Sequence, residues 1–182
     1  MPTCRIRMAA VVTGFLTATA LVTAQAPQMP ASSIPGITNY TRVDATVGCG
    51  GATAVEAFPA LKREGFTTVI NLRQADEPGA NIDESKAAAE RAGLKYIHIP
   101  FDGHAPSPAV ADAFLAAVKD PSNAPVYIHC AAASRVGAVW LIKRVLVDGW
   151  DVDRATAEAK KIGLRSVQLE QFARDYIAAH RR

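Results

Sequence analysis

The sequence predicts an α/β fold with a central, mostly parallel sheet of four to five strands flanked by helices. Short apolar runs alternate with segments of helical periodicity through the body of the chain, which is the pattern of a parallel sheet. The composition agrees, because 49% of the 182 residues are hydrophobic and 20% are charged, close to a globular average. A chain of this length buries a core without a dense disulfide framework, so one domain with a short appendage is expected.

Three segments have the β-branched and aromatic content of buried strands: residues 67–72, 95–99 and 124–129. Weaker strand signals lie at residues 40–43 and 46–48. Together they account for the four to five strands of the predicted sheet.

Helices are predicted in the gaps, at residues 53–63, 83–92, 107–119, 152–161 and 166–180. Thr53 and Glu56 have the spacing of a capping box at the start of the first helix, and Pro59 is expected to kink or restart it. Ser107 and Pro108 have the residue types of an N-cap and a first helical position.

The first 24 residues have the features of a secretory signal. Arg5 and Arg7 precede an uncharged run over residues 9–24, and small residues end that run. An uncleaved membrane anchor is the alternative, but the run is shorter than the roughly 20 apolar residues that span a bilayer comfortably, and it contains several threonines. Cleavage after Ala24 implies a periplasmic or secreted protein with no membrane span.

Cleavage there also changes the charge, because it removes two arginines and no acid and lowers the net charge from +3 to 3 − 2 = +1. No dense basic run is left, which argues against a nucleic-acid partner. Residues 25–37, rich in proline, are predicted to be a linker, and residues 38–182 are predicted to form the domain.

The most apolar strand, residues 124–129, leads into a helix at about residues 136–147 that is apolar on nearly every face and should be buried. Ligands of α/β folds bind where such a strand ends and such a helix begins. There, Cys130 would have its thiolate stabilised by the helix dipole and by loop amides, and Arg135 offers a planar charged fork to a tetrahedral oxyanion. The sequence therefore predicts a nucleophile in an anion cradle, whereas a lone buried cysteine would be only a small hydrophobe.

The junction sequence HCAAASRVG resembles the signature loop of the cysteine-dependent protein tyrosine phosphatase superfamily. From about residue 38 to 180 the chain is similar to bacterial dual-specificity-like phosphatases, including the beta-lactamase-hydrolase-like phosphatase family. The glycine turn VGCGGATAVEAF, the strand GFTTVINLR and the segment AERAGLKYIHIPFDG contribute to this similarity. The resemblance implies a three-layer sandwich like that of dual-specificity phosphatases and a phosphatase that needs no cofactor or metal.

The resemblance also implies roles for individual residues. Cys130 would attack phosphorus to form a phosphocysteine, Arg135 would bind phosphate oxygens, and Asp102 would be the general acid. His104 is the alternative acid, and an ordinary Asp-Gly turn is the alternative interpretation of Asp102. The substrate would be a phosphomonoester, phosphotyrosine among the candidates, on a phosphorylated protein or a small molecule. The residues expected to bind it are Ala131, Ala132, Ala133, Ser134, Arg135 and His129, although His129 is equally explained by a bond to the backbone.

Three features depart from the usual pattern of the superfamily. Four residues, rather than five, separate Cys130 from Arg135, as in the bacterial group and in the loops of rhodanese sulfurtransferases. Ala133 stands where glycine is common, and alanine is tolerated only if that position does not need positive φ. Val136 stands where a serine or threonine hydroxyl usually helps the thiolate leave phosphorus, so slow turnover of a phosphoenzyme is expected.

Cys49 lies in a glycine-rich turn after a predicted strand. In the resembled fold this turn is on the active-site side of the sheet, and a secreted protein with two mature cysteines can form one disulfide. A bond from Cys49 to Cys130 would lock the nucleophile until it is reduced; two free thiols are the alternative.

Two other functions stay open. A rhodanese-like sulfurtransferase would hold a persulfide on Cys130 and would not need Asp102, and a non-catalytic phosphate- or anion-binding domain would suit the missing hydroxyl at Val136. The four histidines show no metal-binding spacing, and no dinucleotide-binding fingerprint follows a strand. The oligomeric state is not predicted.

Overall fold

A computed structural model describes Met1 and residues 33–181 of the chain. The predicted signal segment beyond Met1 and most of the predicted linker lie outside these described residues. No helix in this part of the chain is long and apolar enough to cross a membrane.

Five strands form one sheet in the order β1-β2-β5-β3-β4. They comprise β1 (Thr41–Arg42), β2 (Val47–Gly50), β3 (Thr68–Asn71), β4 (Lys95–His98) and β5 (Val126–His129). Only the edge strand β1 is antiparallel to its neighbour, and the other three pairings are parallel. This confirms the predicted, mostly parallel sheet.

Six α-helices flank the sheet: α1 (Phe58–Arg63), α2 (Ile82–Arg91), α3 (Pro108–Lys119), α4 (Ser134–Leu146), α5 (Val152–Ile162) and α6 (Val167–His180). Apolar residues of α1 and α2 join one core cluster, and those of α3 to α6 join the other. The two clusters lie on opposite faces of the sheet because alternate strand residues point to opposite sides: Tyr127 belongs to the first and Ile128 to the second. The result is the three-layer sandwich that the sequence predicts.

Helix α4 follows the central strand β5 and is the most deeply buried helix. Ten of its 13 residues are buried, as the all-round apolar pattern predicts. Two of them are charged, Arg135 in the first turn and Arg144 near the end. Arg144 donates to Glu158 through Nε at 2.6 Å and lies over the rings of Trp140 and Trp150. Because its charge is paired and stacked, an arginine is accommodated where the pattern calls for an apolar residue.

The predicted capping box at Thr53 and Glu56 is wrong. The Thr53 hydroxyl lies 2.8 Å from the Tyr127 hydroxyl and donates to the Gly51 carbonyl, so no side chain caps the short 3₁₀ turn at Val55–Ala57. After that turn the chain restarts as α1 with Pro59 in its first turn, which is one of the two outcomes expected of this proline.

The domain packs residues from the segment predicted to be a linker. Ile34 is buried in the core cluster on the α1–α2 side, and Ile37 forms a β-bridge with Thr53. Both are apolar residues in a proline-rich stretch whose composition indicates a linker, so burial is decided here by tertiary contact.

Candidate active site

Cys130 follows the last residue of β5, at the carboxyl edge of the parallel strands, and is 1% exposed. Its backbone N–H donates to the Gly50 carbonyl on the neighbouring strand β2 at 3.3 Å. The next residues turn at once into α4, so the loop of residues 130–135 carries its amides to the positive end of a buried helix. This is the loop geometry that an anion cradle needs, and the binding of an anion there stays a prediction.

The glycine turn after β2 supports this loop from one side. The Ala52 N–H donates to the Ala131 carbonyl at 2.8 Å, and a Cβ atom on Gly51 would lie 3.0 Å from that same carbonyl oxygen. A side chain at position 51 would therefore push the 130–135 loop outward. The close approach of two backbones explains why this turn is rich in glycine.

Ala133 adopts a left-handed conformation, with φ of 66° and ψ of −2°, directly before α4. The expectation that alanine avoids positive φ at this position is therefore wrong. The chain has only residues 130–133 in which to pass from β5 to α4. The space for the methyl group comes from Gly163, where an added Cβ would lie 2.7 Å from the Ala133 Cβ.

We expect Gly163→Ala to lower the free energy of unfolding by about 2–3 kcal/mol, because it adds this clash to a φ of 142° that L-residues rarely adopt. In an Ala133→Gly background the cost should fall by about 1 kcal/mol, since the opposing methyl is gone. Urea titration of the four proteins measures both values. Gly149→Ala is the control, because Gly149 also has positive φ but no atom within 4 Å of an added Cβ. If Gly163→Ala lowers the free energy of unfolding equally in both backgrounds, the contact between positions 133 and 163 would be contradicted.

Arg135, in the first turn of α4, is buried and fixed by four acceptors. Its Nη1 donates to the carbonyls of Leu72 at 3.2 Å and Phe101 at 2.8 Å, and to Glu77 Oε1. Its Nη2 donates to Glu77 Oε2 at 2.8 Å. Burial alone would lower the pKa of Arg135, but the bond to Glu77 and the neighbouring Cys130 raise it. The guanidinium is thus held rigidly beside the thiol.

Glu77 follows β3 along the chain, a position that in the sequence fits a pocket border and a solvated loop equally well. Besides Arg135 it accepts hydrogen bonds from the Arg73 Nε at 3.2 Å and the Gln74 N–H at 2.7 Å. Burial alone would raise the pKa of Glu77, but these donors, with Arg135 first, lower it to about 2. The carboxylate therefore stays ionised and positions Arg135. The available signal was its place just after β3, whose end lies beside the end of β5.

His129 is 2% exposed and stacks on Tyr127 with the ring centroids 5.7 Å apart. Neither ring nitrogen has a hydrogen-bond partner within the described residues, although backbone groups of Gly51 and Cys130 lie close to the ring. Burial, followed by the charge of Arg73, lowers the pKa of His129 to about 3. His129 is therefore neutral at physiological pH and supports the loop from below.

Asp102 lies on the loop after β4, which contacts Arg135 through the Phe101 carbonyl. The Asp102 Oδ1 accepts the His104 N–H at 2.8 Å, which is the turn geometry typical of an aspartate before glycine. Gly103 and His104 line the cavity above Cys130, and Asp102 is beside them, half-buried. Both acid candidates are thus on a loop at the cavity mouth, and the role of Asp102 stays a prediction.

We expect Asp102→Asn to lower kcat/KM at least about 100-fold on phenyl phosphate, whose leaving group needs a proton, and much less on para-nitrophenyl phosphate, because kcat/KM reports the step in which the ester oxygen leaves. Asparagine keeps the oxygen that accepts the His104 N–H, so the change removes the proton and preserves the turn. Steady-state rates on the two esters measure the effect. The matched variant is His104→Gln, and a loss in that variant with full activity in Asp102→Asn would transfer the acid role to His104.

A cavity of about 620 Å³ opens over Cys130. Four of the residues predicted to bind substrate line it, whereas Ala133 and His129 are buried below it. The start of α6 closes one side, a contribution for which the sequence offered no signal. The lining residues are Gln74, Glu77, Gly103, His104, Cys130, Ala131, Ala132, Ser134, Arg135, Ser166, Gln168 and Leu169.

Ser134 carries the hydroxyl nearest in the sequence to the one missing at position 136, and its oxygen accepts two backbone hydrogen bonds. Val136 is buried in the core, and the Ser134 Oγ accepts the N–H groups of Arg165 at 3.1 Å and Ser166 at 3.3 Å. Ser134 thereby ties the 130–135 loop to the α5–α6 connection.

Cys49 and Cys130 are both free, buried thiols in this structure. Cys49 pairs with Ile128 across the β2–β5 ladder, so Cys130 is its diagonal neighbour on the same face, two residues further along β5. Burial raises the pKa of the Cys49 thiol. A disulfide between the two cysteines stays a prediction for oxidising conditions.

The described residues contain no group of three or more histidine, cysteine or acidic side chains placed to hold a metal ion.

The chain is similar in sequence to one family of proteins. A family model described as DSP-PTPase phosphatase fused to NAD+ kinase matches residues 32–175. A beta-lactamase hydrolase-like protein of Agrobacterium fabrum is 31% identical over 111 residues, which are 58% of this chain and 25% of that protein. The chain spans about a quarter to a third of the length of the curated relatives it matches.

Two solved structures illustrate the shared fold. A DUF442 protein of Shewanella putrefaciens CN-32 superposes with a TM-score of 0.68 at 23% identity, covering 81% of this chain and 94% of that one. A variant of TpbA from P. aeruginosa in complex with pTyr superposes with a TM-score of 0.60 at 19% identity, covering 79% and 89%. At these identities the likeness concerns the fold.

Proposed function

Because this chain belongs to the family of DSP-PTPase phosphatases, within the cysteine-dependent protein tyrosine phosphatase superfamily, we propose that it hydrolyses phosphomonoesters through a phosphocysteine on Cys130. One observation carries the proposal: Cys130 and Arg135 share one short loop at the carboxyl end of the central strand, and Glu77 holds the guanidinium at the cavity over the thiol. Phosphotyrosine is the proposed type of substrate, supported by the pTyr complex of TpbA.

In the first step the Cys130 thiolate attacks phosphorus and the bond to the ester oxygen breaks. Amides of the 130–135 loop and the Arg135 guanidinium bind the equatorial phosphoryl oxygens, whose charge they stabilise in the transition state. Asp102 gives its proton to the departing oxygen, so an alcohol or phenol leaves.

In the second step water attacks the phosphocysteine, Asp102 takes a proton from the water, and the thiolate leaves as inorganic phosphate forms. Val136 offers no hydroxyl to the departing sulfur, so this step is proposed to limit turnover. Rapid mixing with para-nitrophenyl phosphate would then release a burst of nitrophenol equal to the enzyme concentration.

The experiment that tests the function compares two products under reducing conditions. Release of phosphate from para-nitrophenyl phosphate supports a phosphatase, and its absence from the wild-type protein would refute the proposal. A sulfurtransferase would instead form thiocyanate from thiosulfate and cyanide. Binding of phosphate with neither activity would assign an anion-binding domain.

A further inference from the structure

A second cavity, of about 700 Å³, lies beside the cavity over Cys130. Its walls are Pro106 of the loop after β4, Pro108 at the start of α3, and one face of α6. Gln168 lines both cavities, and its Nε2 donates to the His104 carbonyl at 2.8 Å. The two cavities therefore share Gln168 as a wall, so a substrate held at Arg135 would lie next to the second cavity. We call this second cavity the α6 groove.

The α6 groove has an apolar, aromatic floor and an exposed apolar rim. Phe172 packs against Phe101 with ring centroids 5.9 Å apart, and against Tyr176 at 6.4 Å. Val167, in the first turn of α6, is 84% exposed, more than any other large hydrophobic residue of segment 33–181. An apolar surface of this kind, continuous with a catalytic cavity, is typical of a binding site.

The charges exclude a polyanionic occupant. No lysine or arginine of the described chain lines the α6 groove, whose titratable members are Asp175, Tyr176 and His180. In the adjoining cavity the single arginine, Arg135, is already paired with Glu77. These two cavities therefore suit one phosphoryl group joined to an apolar arm, and a second phosphate in the groove would face Asp175 without a cation.

Two glutamine amides at the edge of the groove match a peptide backbone. Gln168 and Gln171 donate through Nε2 to the His104 carbonyl and to Asp175 Oδ1, both at 2.8 Å. Neither Oε1 has a hydrogen-bond partner within segment 33–181, so both can accept an N–H. A peptide supplies that N–H together with an apolar side chain, which a free aryl phosphate does not.

We propose that the α6 groove binds the apolar side chain next to the phosphotyrosine of a phosphopeptide substrate, an inference that rests on the proposed phosphatase function. Val167 and Phe172 would contact this side chain, and Gln168 would divide it from the phosphoryl group. The groove would thereby select peptides by the residue that flanks the phosphotyrosine.

The test uses two phosphotyrosine peptides that differ only in the flanking residues, leucine in one and serine in the other. We expect the full-length protein to prefer the leucine peptide about 10-fold in kcat/KM. Val167→Glu should reduce the ratio to within about 2-fold, and because both rates come from the same preparation, the ratio does not depend on how much of it is folded. Val147→Glu is the matched control, since Val147 is also an exposed valine, at the end of α4, and should keep the ratio.

A wild-type ratio near 1, or an unchanged ratio in Val167→Glu, would overturn the groove assignment while hydrolysis of para-nitrophenyl phosphate leaves the phosphatase proposal standing. No hydrolysis of any ester by the wild-type protein would refute both. If the protein prefers naphthyl phosphate over phenyl phosphate but does not distinguish the two peptides, the proposal of a peptide substrate would be overturned in favour of small aryl esters. If the wild-type protein sediments as a dimer and Val167→Glu sediments as a monomer, the proposed occupant would be overturned in favour of a second copy of this chain in the α6 groove.

Discussion

Cys130→Ser is expected to lower kcat for para-nitrophenyl phosphate by at least about 10⁴-fold. The serine oxygen occupies nearly the same place on the 130–135 loop, but a neutral hydroxyl is a far weaker nucleophile than a thiolate. The cradle should stay intact, because Glu77 and two backbone carbonyls hold Arg135 in place. Phosphate or vanadate should therefore still bind the variant, while the nitrophenol burst disappears.

Cys49→Ser is the matched control for this loss. Cys49 is equally buried, on the neighbouring strand, and it belongs to the same core cluster. Serine there should cost about 1–3 kcal/mol of stability through its buried hydroxyl but leave kcat per folded molecule within about 3-fold. Assays with and without reductant extend the comparison. The disulfide lock would be supported if the oxidised wild-type protein is inactive until it is reduced while Cys49→Ser keeps its activity without reductant.

Activity above about 1% of wild type in Cys130→Ser would contradict the assignment of Cys130 as the nucleophile.

Arg135→Lys is expected to lower kcat/KM about 10³-fold, although it keeps the positive charge. A lysine has one nitrogen where the guanidinium uses Nη1 and Nη2 to meet both Glu77 oxygens and two backbone carbonyls. It cannot hold this geometry and also present two parallel donors to a phosphoryl group. Steady-state kinetics on para-nitrophenyl phosphate measure the loss. A decrease smaller than 10-fold would mean that Arg135 supplies charge alone.

Glu77→Gln tests the same contact from the other partner. Glu77 touches Arg135 rather than the substrate, so we expect a smaller loss of about 10- to 100-fold in kcat/KM, and little further loss when it is combined with Arg135→Lys. Removing the carboxylate also leaves a buried guanidinium without its counter-charge, which should cost about 2–3 kcal/mol of stability. Glu90→Gln is the control, because the pair between Glu90 and Lys86 is exposed, with 3.7 Å between its charged atoms, and should cost less than about 0.5 kcal/mol.

The pH dependence of the free energy of unfolding tests whether the Glu77 carboxylate is ionised and paired. The pKa of Glu77 is about 2 in the folded protein, below its ordinary 4.5. Its contribution to stability is thus fully present above about pH 4.5 and is lost as the pH falls toward 2. The difference in unfolding free energy between wild type and Glu77→Gln should therefore shrink over that interval. A difference that does not vary with pH would contradict an ionised, paired carboxylate.

Local sequence determined much of this protein. Period-two and period-3.6 patterns located the sheet strands and helices α2 to α6, because those patterns reflect which side of each element is buried. The thiol and the guanidinium could also be recognised, because Cys130 and Arg135 are five residues apart on one loop and strand-to-helix geometry alone brings them together. The fold class and the membership in the cysteine-dependent phosphatase superfamily, both confirmed, followed from this short segment and its neighbours.

Tertiary structure decided what joins distant parts of the chain. Glu77 and Arg135 are 58 positions apart and meet because strand order places β3 beside β5, so that the loops leaving both strands converge. The methyl group of Ala133, at positive φ, has room because Gly163, on another connection, has no side chain. Gln168 donates to the carbonyl of His104, 64 positions away, and lines both the cavity over Cys130 and the α6 groove. Spacing in a sequence sets geometry within an element and its adjoining loops, whereas contacts across the molecule depend on how the elements are ordered and packed.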